Sequence, residues 1–203
     1  MLRSATALLL GLLLGGQTWA ADDGAVAVVE SLHATLLTAM KEAKTLGYEG
    51  RYQLIAPAVE TAFDLDFMAK FVLGPEGKDL SAADQARWRD AFKRITVATY
   101  AGRFTGFGGE SFKILGEEPA AQDTVFVKSM LDRPDAEDVQ LTYRLRKTDT
   151  SWKIVDVYNK GTVSELALRR SEYSSVLKRD GFEKLLQTVD AKIADYASGK
   201  ITN

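Results

Sequence analysis

The sequence predicts an α+β fold in which a four-stranded antiparallel sheet is flanked by N-terminal and C-terminal helices. Apolar residues recur at helical spacing before the middle of the chain and again after it. Between these parts the spacing changes to alternation, which is typical of strands, and short turns separate the alternating runs. Because strands joined by short turns pair antiparallel, the middle of the chain predicts a meander.

The first twenty residues are predicted to be a cleaved signal peptide. Arg3 provides the positive start, residues 8–14 form an apolar run, and Ala20 is a small residue at a suitable cleavage point. The apolar run is short for a membrane span. We therefore expect cleavage after Ala20, a single domain over residues 21–203, and export to a bacterial periplasm.

Composition argues against several classes of function. The exported part would carry 25 Lys and Arg against 28 Asp and Glu, because only Arg3 is lost from the 26 basic residues. A nucleic-acid partner normally requires a basic excess, so none is expected. The chain has no cysteine, which removes disulfides and thiolate chemistry. With a single histidine, no metal site is predicted, and no cofactor is expected.

Four helices are predicted before the sheet. Residues 25–47 carry apolar side chains on one face of a helix. Residues 51–74 predict two short helices, of which the second is capped by Asp64 or Asp66. Ser81 begins a longer helix with a capping-box-like start.

The four strands are separated by Pro-, Asp- and Thr-containing turns. The third strand alternates most regularly and carries apolar side chains on one face. The predicted strands are residues 111–118, 124–131, 139–147 and 151–159.

A two-residue turn at positions 149–150 fixes a predicted register for the last two strands. This register brings the apolar face of the third strand onto one face of the fourth. The predicted pairs are Leu145 with Ile154, Tyr143 with Asp156, and Leu141 with Tyr158.

Two further helices are predicted after the sheet. Thr162 and Glu165 have the spacing of a capping box at the start of the first. Gly181 ends this helix, and residues 182–196 form a second amphipathic one.

No catalytic site is predicted. His33 is expected at the surface or boundary of the first helix, without partners for metal binding. The glycines of residues 106–109 lead into a strand and not into a helix N-terminus, so they predict a turn and not a phosphate-binding loop. Asp156 is the one carboxylate in the middle of the fourth strand.

The fourth strand carries large apolar side chains on both faces. Trp152, Ile154 and Tyr158 alternate with Val155 and Val157. Such a strand is either covered on both sides by protein or borders an apolar ligand. Together with the many aromatic residues of the chain, it favours a fold that closes around an apolar cavity.

Three segments resemble, in order and spacing, the MlaC or toluene-tolerance family. The resemblance covers roughly residues 50–190, and LGYEGRY with GTVSELALRRSEY is more similar to the HpnM branch linked to hopanoid biosynthesis. Relatives usually place an aromatic residue after the VLG segment, where this chain has GPEGKDL. The three segments are FDLDFMAKFVLG, AFKRITVATYAGRF and SWKIVDVYNKGTVSELALRRSEYSSVLKRDGFEKLL.

The resemblance implies a periplasmic lipid-binding protein that works with an ABC-type system moving lipid between two membranes. The expected ligand is a phospholipid or a hopanoid, and the expected partners are membrane-embedded components of that system. Arg169 and Arg170 are predicted to contact the headgroup or a partner. The predicted lipid contacts are Leu141, Tyr143, Leu145, Trp152, Ile154, Tyr158, Phe67, Phe71 and Phe104.

Two other functions remain open at this point. A curved sheet capped by helices is also the architecture of small cone-shaped enzymes, for which Asp156 would be the acid or base. A non-catalytic adaptor of the cell envelope would instead show an exposed apolar or arginine-rich patch, for example around Arg169 and Arg170.

Overall fold

The computed structural model describes residues 24–201, and the predicted signal peptide lies outside them. Within this part of the chain, no helix combines the length and the apolar character that crossing a membrane requires. The helices are α1 Ala25–Lys41, α2 Ala43–Ala62, α3 Leu65–Leu73, α4 Ala82–Arg103, α5 Glu165–Asp180 and α6 Phe182–Ala197, with a 3-10 helix at Gly74–Asp79. The strands are β1 Ser111–Ala120, β2 Thr124–Asp132, β3 Val139–Lys147, β4 Trp152–Asn159 and β5 Val163–Ser164.

A single antiparallel sheet runs in the order β1-β2-β3-β4-β5 through the described residues. The predicted α+β class and the four long strands are confirmed, whereas the count of four is wrong by one strand. A turn at Lys160 and Gly161, with φ of 50° and 73°, returns the chain so that β5 pairs with β4. A strand of two residues has no alternation for a sequence pattern to reveal.

A β-bulge in β4 changes the register that the sequence predicts. Leu145 lies opposite Ile154 as predicted, but the next pair along is Arg144 with Asp156. Val155 is the extra residue, and it shifts each later pair by one position. The observed pairs are Tyr143 with Val157, Thr142 with Tyr158 and Leu141 with Asn159, instead of the predicted Tyr143 with Asp156 and Leu141 with Tyr158.

Side-chain caps begin three of the helices. Asp64 and Ser81 each accept a hydrogen bond from the backbone N–H three residues later, at 3.0 and 3.1 Å, as predicted for α3 and α4. Ser164 makes the corresponding bond at 2.9 Å and begins α5. The sequence predicts this cap at Thr162, which is wrong because residues 163–164 are still extended in β5.

Helix α1 packs on the inner face of the sheet, which is the face that carries Leu141, Tyr143 and Leu145. His33 is 5% exposed, so the prediction of a surface or boundary residue is wrong. Its Nε2 lies 3.0 Å from the Tyr143 hydroxyl, and its ring stacks on Phe112 with centroids 4.0 Å apart. The Tyr143 hydroxyl thus gives the buried Nε2 of His33 a hydrogen-bond partner. Burial lowers the pKa of His33 from 6.5 to about 4, since a buried imidazolium loses its hydration.

Helix α4 is held from several sides. Trp88 is buried, and its Nε1 donates to the Ala69 carbonyl at 2.9 Å. The Trp88 ring also meets the edge of Tyr173 at 5.8 Å. Gly102 allows α6 to approach closely, because a Cβ there would lie 2.4 Å from Cδ1 of Tyr196. These contacts set which face of α4 is left for the interior of the molecule.

Candidate functional site

A cavity of about 1150 Å³ lies between the inner face of the sheet and helices α4 and α5. This volume lies slightly above the usual range of ligand pockets, about 300–1000 Å³. Helix α1 and the α2–α3 junction close it on the remaining side. Apolar residues of its wall include Met40, Phe63, Met68, Leu131, Val157 and Leu166.

The mouth of the cavity lies at one end of the sheet. Glu110 precedes β1, Arg133 and Asp138 lie between β2 and β3, and Lys160 follows β4; all four contribute to the wall. In an antiparallel meander these positions meet at the same end. Charged side chains therefore surround the mouth, while the buried part of the wall combines apolar side chains with the polar Thr96, Thr99 and Asp156.

Helix α4 turns a polar face towards the cavity. Thr96, Thr99, Tyr100 and Arg103 all line the wall, at the spacing of one helix face. The Thr96 and Thr99 hydroxyls donate to backbone carbonyls four residues earlier, at 2.8 and 2.7 Å. Their lone pairs are thereby free to accept from elsewhere. None of these four residues is predicted as a site residue, although their helical spacing in the sequence signals a polar face.

Arg169 reaches this face from α5. Its Nη1 donates to Thr96 Oγ1 at 2.9 Å and its Nη2 donates to Thr99 Oγ1 at 3.1 Å. Its guanidinium carbon lies 5.6 Å from the ring centre of Phe92. Within residues 24–201, no carboxylate forms an ion pair with Arg169. The hydrogen-bond partners of Arg169 are therefore neutral hydroxyls, and the carboxylates of the same wall, Asp156 and Glu165, are bound to other groups.

Arg103 and Tyr100 complete the polar face in different ways. Arg103 Nη1 lies 3.4 Å from Glu165 Oε1, so this second arginine is paired. Tyr100 stacks on Phe104 with ring centres 5.9 Å apart. Burial raises the pKa of Tyr100, and the charges of Arg169 and Arg103 oppose that effect without reversing it. The Tyr100 hydroxyl thus stays protonated.

Asp156 is the one acidic residue that is fully buried in the described part of the chain. Its Oδ1 accepts from the backbone N–H of Val157 at 2.7 Å and of Leu166 at 3.1 Å. Its Oδ2 accepts from the Ser164 hydroxyl at 2.6 Å. Burial raises the pKa of Asp156, and these hydrogen bonds act in the opposite direction. The carboxylate therefore ties β4 to the first turn of α5, and it does not lie opposite Tyr143, its predicted neighbour.

Comparison with known proteins places the chain in a family. The family described as "MlaC protein" matches residues 30–191. The chain belongs to the MlaC family. The structure of a phospholipid-binding protein from Ralstonia solanacearum, in complex with a phospholipid, has the same fold, with a TM-score of 0.73 and 24% identity over 85% of this chain and 98% of that one. A search of curated proteins found no match.

In this MlaC-family chain, part of the predicted site comes together at the cavity. Leu141 and Tyr143 line it from β3, Phe104 from the end of α4, and Arg169 from α5. The predicted resemblance to the family is confirmed, whereas a relationship to the HpnM branch stays a prediction. That these residues contact lipid also stays a prediction, although all four line the same cavity.

The other predicted contacts on the sheet lie away from the cavity wall. Leu145 and Ile154 face each other with no exposed surface, in the core beneath the cavity. Tyr158 points to the opposite face because of the bulge, and its ring meets the edge of Phe126 at 5.5 Å. Trp152 lies at the start of β4, at the end of the sheet away from the mouth.

The remaining predicted residues, Phe67, Phe71 and Arg170, lie on the outside of this MlaC-family protein, in a row that also contains Arg146. Phe67 and Phe71 stack along α3 with ring centres 6.1 Å apart. The Arg146 guanidinium lies 4.5 Å from the Phe67 ring centre, and that of Arg170 lies 4.6 Å from the Phe71 ring centre. Phe71 is 37% exposed. Although they are adjacent in the sequence, Arg169 therefore lines the cavity and Arg170 lies on the outer surface.

Proposed function

We propose that this protein is a periplasmic lipid carrier that encloses the acyl chains of a phospholipid or hopanoid and passes the lipid between membranes with an ABC-type transport system. The observation that carries the proposal is the cavity of about 1150 Å³, which apolar side chains of the sheet and the helices line along with one polar face of α4. Membership of the MlaC family and the phospholipid complex of the Ralstonia protein support a phospholipid as the cargo.

Acyl chains need this kind of enclosure. Exposing one sixteen-carbon chain to water costs about 12 kcal/mol, at about 0.8 kcal/mol per CH₂ group. Leu141, Tyr143 and Phe104 supply apolar contacts along the chains, beside the buried Leu166. Charged groups at the mouth stay in contact with water and need no such shielding.

The outer surface suits a contact with the membrane-embedded components of the transport system. Phe71 is partly exposed and is covered by the Arg170 guanidinium. Aromatic and arginine side chains are enriched where proteins contact each other. Arg170 is therefore assigned to a partner, and the cavity to the lipid.

An enzymatic role has less support. A catalytic acid or base needs a carboxylate that can reach a substrate. The carboxylate oxygens of Asp156 instead accept hydrogen bonds from Val157, Ser164 and Leu166. An adaptor without a ligand has no need of a cavity of this size.

The carrier function is tested by replacing one residue of the cavity wall with arginine. Leu141 lines the cavity from β3, whereas Leu115 on β1 is 55% exposed and lies outside the wall. Leu141→Arg should leave the protein folded but without co-purifying lipid, because a charge would lie against the acyl chains. Leu115→Arg is the matched control and should keep its lipid. Native mass spectrometry with solvent extraction measures bound lipid, and circular dichroism measures folding.

Equal lipid in the Leu141→Arg and Leu115→Arg proteins would contradict the proposed position of the chains. A wild-type protein without lipid, even after incubation with phospholipid vesicles, would contradict the carrier function itself. Leu145→Arg has a different expected outcome. Because Leu145 is fully buried beside Ile154, this change should prevent folding, with or without lipid.

A further inference from the structure

The cavity wall contains the charged side chain of Arg169, and enclosing acyl chains does not require such a charge. Arg169 donates to Thr96 and Thr99, and both hydroxyls give their own protons to carbonyls of α4. A guanidinium has several further N–H donors, which these two bonds do not use. The threonines therefore hold the side chain in place without neutralising it.

This charge lies within the cavity and not at its rim. Arg103, at the end of α4, is followed by the segment that forms the mouth and is paired with Glu165. Thr96 and Thr99 precede Arg103 by one to two helical turns, which is about 6–10 Å along the helix axis. A charge at that depth is less screened by water than one at the surface.

Tyr100 adds a second donor on the same wall. The charge of Arg169 acts on the Tyr100 hydroxyl, which burial keeps protonated. Among residues 24–201, no group accepts a hydrogen bond from this hydroxyl. Two positions of the wall thus offer N–H and O–H groups, while Glu165, the carboxylate whose charge also acts on Tyr100, is paired with Arg103.

We propose that Arg169 and Tyr100 bind the oxyanion of the carried lipid, so that the cargo is an acidic lipid whose phosphodiester or carboxylate lies below the rim of the cavity. This inference rests on the carrier function proposed above. Hydrogen bonds between a guanidinium and an oxyanion are about twice as strong as neutral ones. A lipid without a charge would leave Arg169 against hydrocarbon, which is costly.

The test compares lipids that share an acyl chain and differ in charge. Purified protein is incubated with vesicles that contain phosphatidylglycerol, oleate and diacylglycerol, then separated from them, and its bound lipid is quantified by mass spectrometry. Wild type should take up an acidic lipid at least about tenfold over diacylglycerol, which corresponds to about 1.4 kcal/mol. The ratio of phosphatidylglycerol to oleate then identifies the source of the oxyanion.

Three variants assign the preference to this site. Arg169→Met should retain lipid but lose the preference for acidic lipid, and Tyr100→Phe should show a smaller loss in the same direction. Arg179→Gln is the matched control, since Arg179 is on the same helix, is exposed and pairs only with its neighbour Asp180. It should behave like wild type. Tyr100→Phe keeps the shape of the side chain and serves as the test if Arg169→Met does not fold.

The outcomes separate this inference from the carrier function. Equal uptake of acidic lipid and diacylglycerol by wild type would overturn the inference. A wild-type preference that survives in both Arg169→Met and Tyr100→Phe would also overturn it, while the carrier function would stand. Failure of wild type to take up any of the three lipids would overturn the carrier function, and the inference with it.

Discussion

Acid should destabilise this protein through a single buried imidazole. His33 is the only histidine of the chain, and in the folded state burial lowers its pKa from 6.5 to about 4. In the unfolded chain the imidazole takes up a proton near its ordinary pKa of 6.5. Between these two values the unfolded state binds more protons than the folded state. The contribution of the neutral His33 to stability is therefore fully present above pH 6.5 and is lost as the pH falls towards 4.

The magnitude follows from the two pKa values. Their difference, at about 1.4 kcal/mol per pKa unit, amounts to ~3 kcal/mol of unfolding free energy that is lost by pH 4. A domain of this kind has a total stability of roughly 5–15 kcal/mol, so the loss is a large part of it. His33 is 5% exposed, and the loss is therefore little reduced by solvent.

Urea unfolding of the wild type and of His33→Gln, measured between pH 4 and pH 7, tests this linkage. The variant loses the stack on Phe112, so its stability at pH 7 is lower, and the informative quantity is the slope with pH. The wild-type curve should fall by ~3 kcal/mol more than the variant curve over this range. A proton NMR titration of the single imidazole gives the pKa in the folded protein directly. Parallel curves, or an NMR pKa near 6.5, would refute the reasoning.

Two further substitutions test the packing of α5 and α6. Ser164→Ala removes the cap of α5 and the hydroxyl that donates to Asp156, so the unfolding free energy should fall by about 1–3 kcal/mol. Ser175→Ala, on the exposed side of the same helix, should be nearly neutral in thermal denaturation, and similar losses in both would contradict the assignment. Gly102→Ala should gain up to about 1 kcal/mol of helix propensity but lose about 1–3 kcal/mol because its Cβ meets Tyr196. A net stabilisation in urea would show that α6 does not pack this closely, and a Tyr196→Leu background should reduce the loss.

Local signals in the sequence were sufficient for the order of the α-helices and the four long strands. Ser81 and Asp64 cap helices through bonds that span only three residues, and alternation within the strands is equally local. Thr162 shows the limit of such signals, because its capping-box spacing is present but β5 pairing delays the helix. At that point the pairing of β5 with β4 overrides the local preference for a helix start.

The candidate site depends on contacts between residues that are far apart in the sequence, and local spacing does not predict such contacts. One inserted residue, Val155, reverses which face Tyr158 occupies, and no local pattern marks that bulge. The bonds from Arg169 to Thr96 and Thr99 join positions about seventy residues apart. The family resemblance implied a lipid cavity, but the side chains that line it follow from tertiary packing.

Two of the three tryptophans lie within the described residues, and their positions report on the fold by fluorescence. Trp88 lies in the helical core against Ala69, and Trp152 lies at the end of the sheet away from the mouth. Neither of these two residues belongs to the cavity wall. Loss of a ligand should therefore leave tryptophan emission unchanged, whereas unfolding should shift it to longer wavelength. A single fluorescence spectrum thus distinguishes a variant that has lost its cargo from one that has lost its structure.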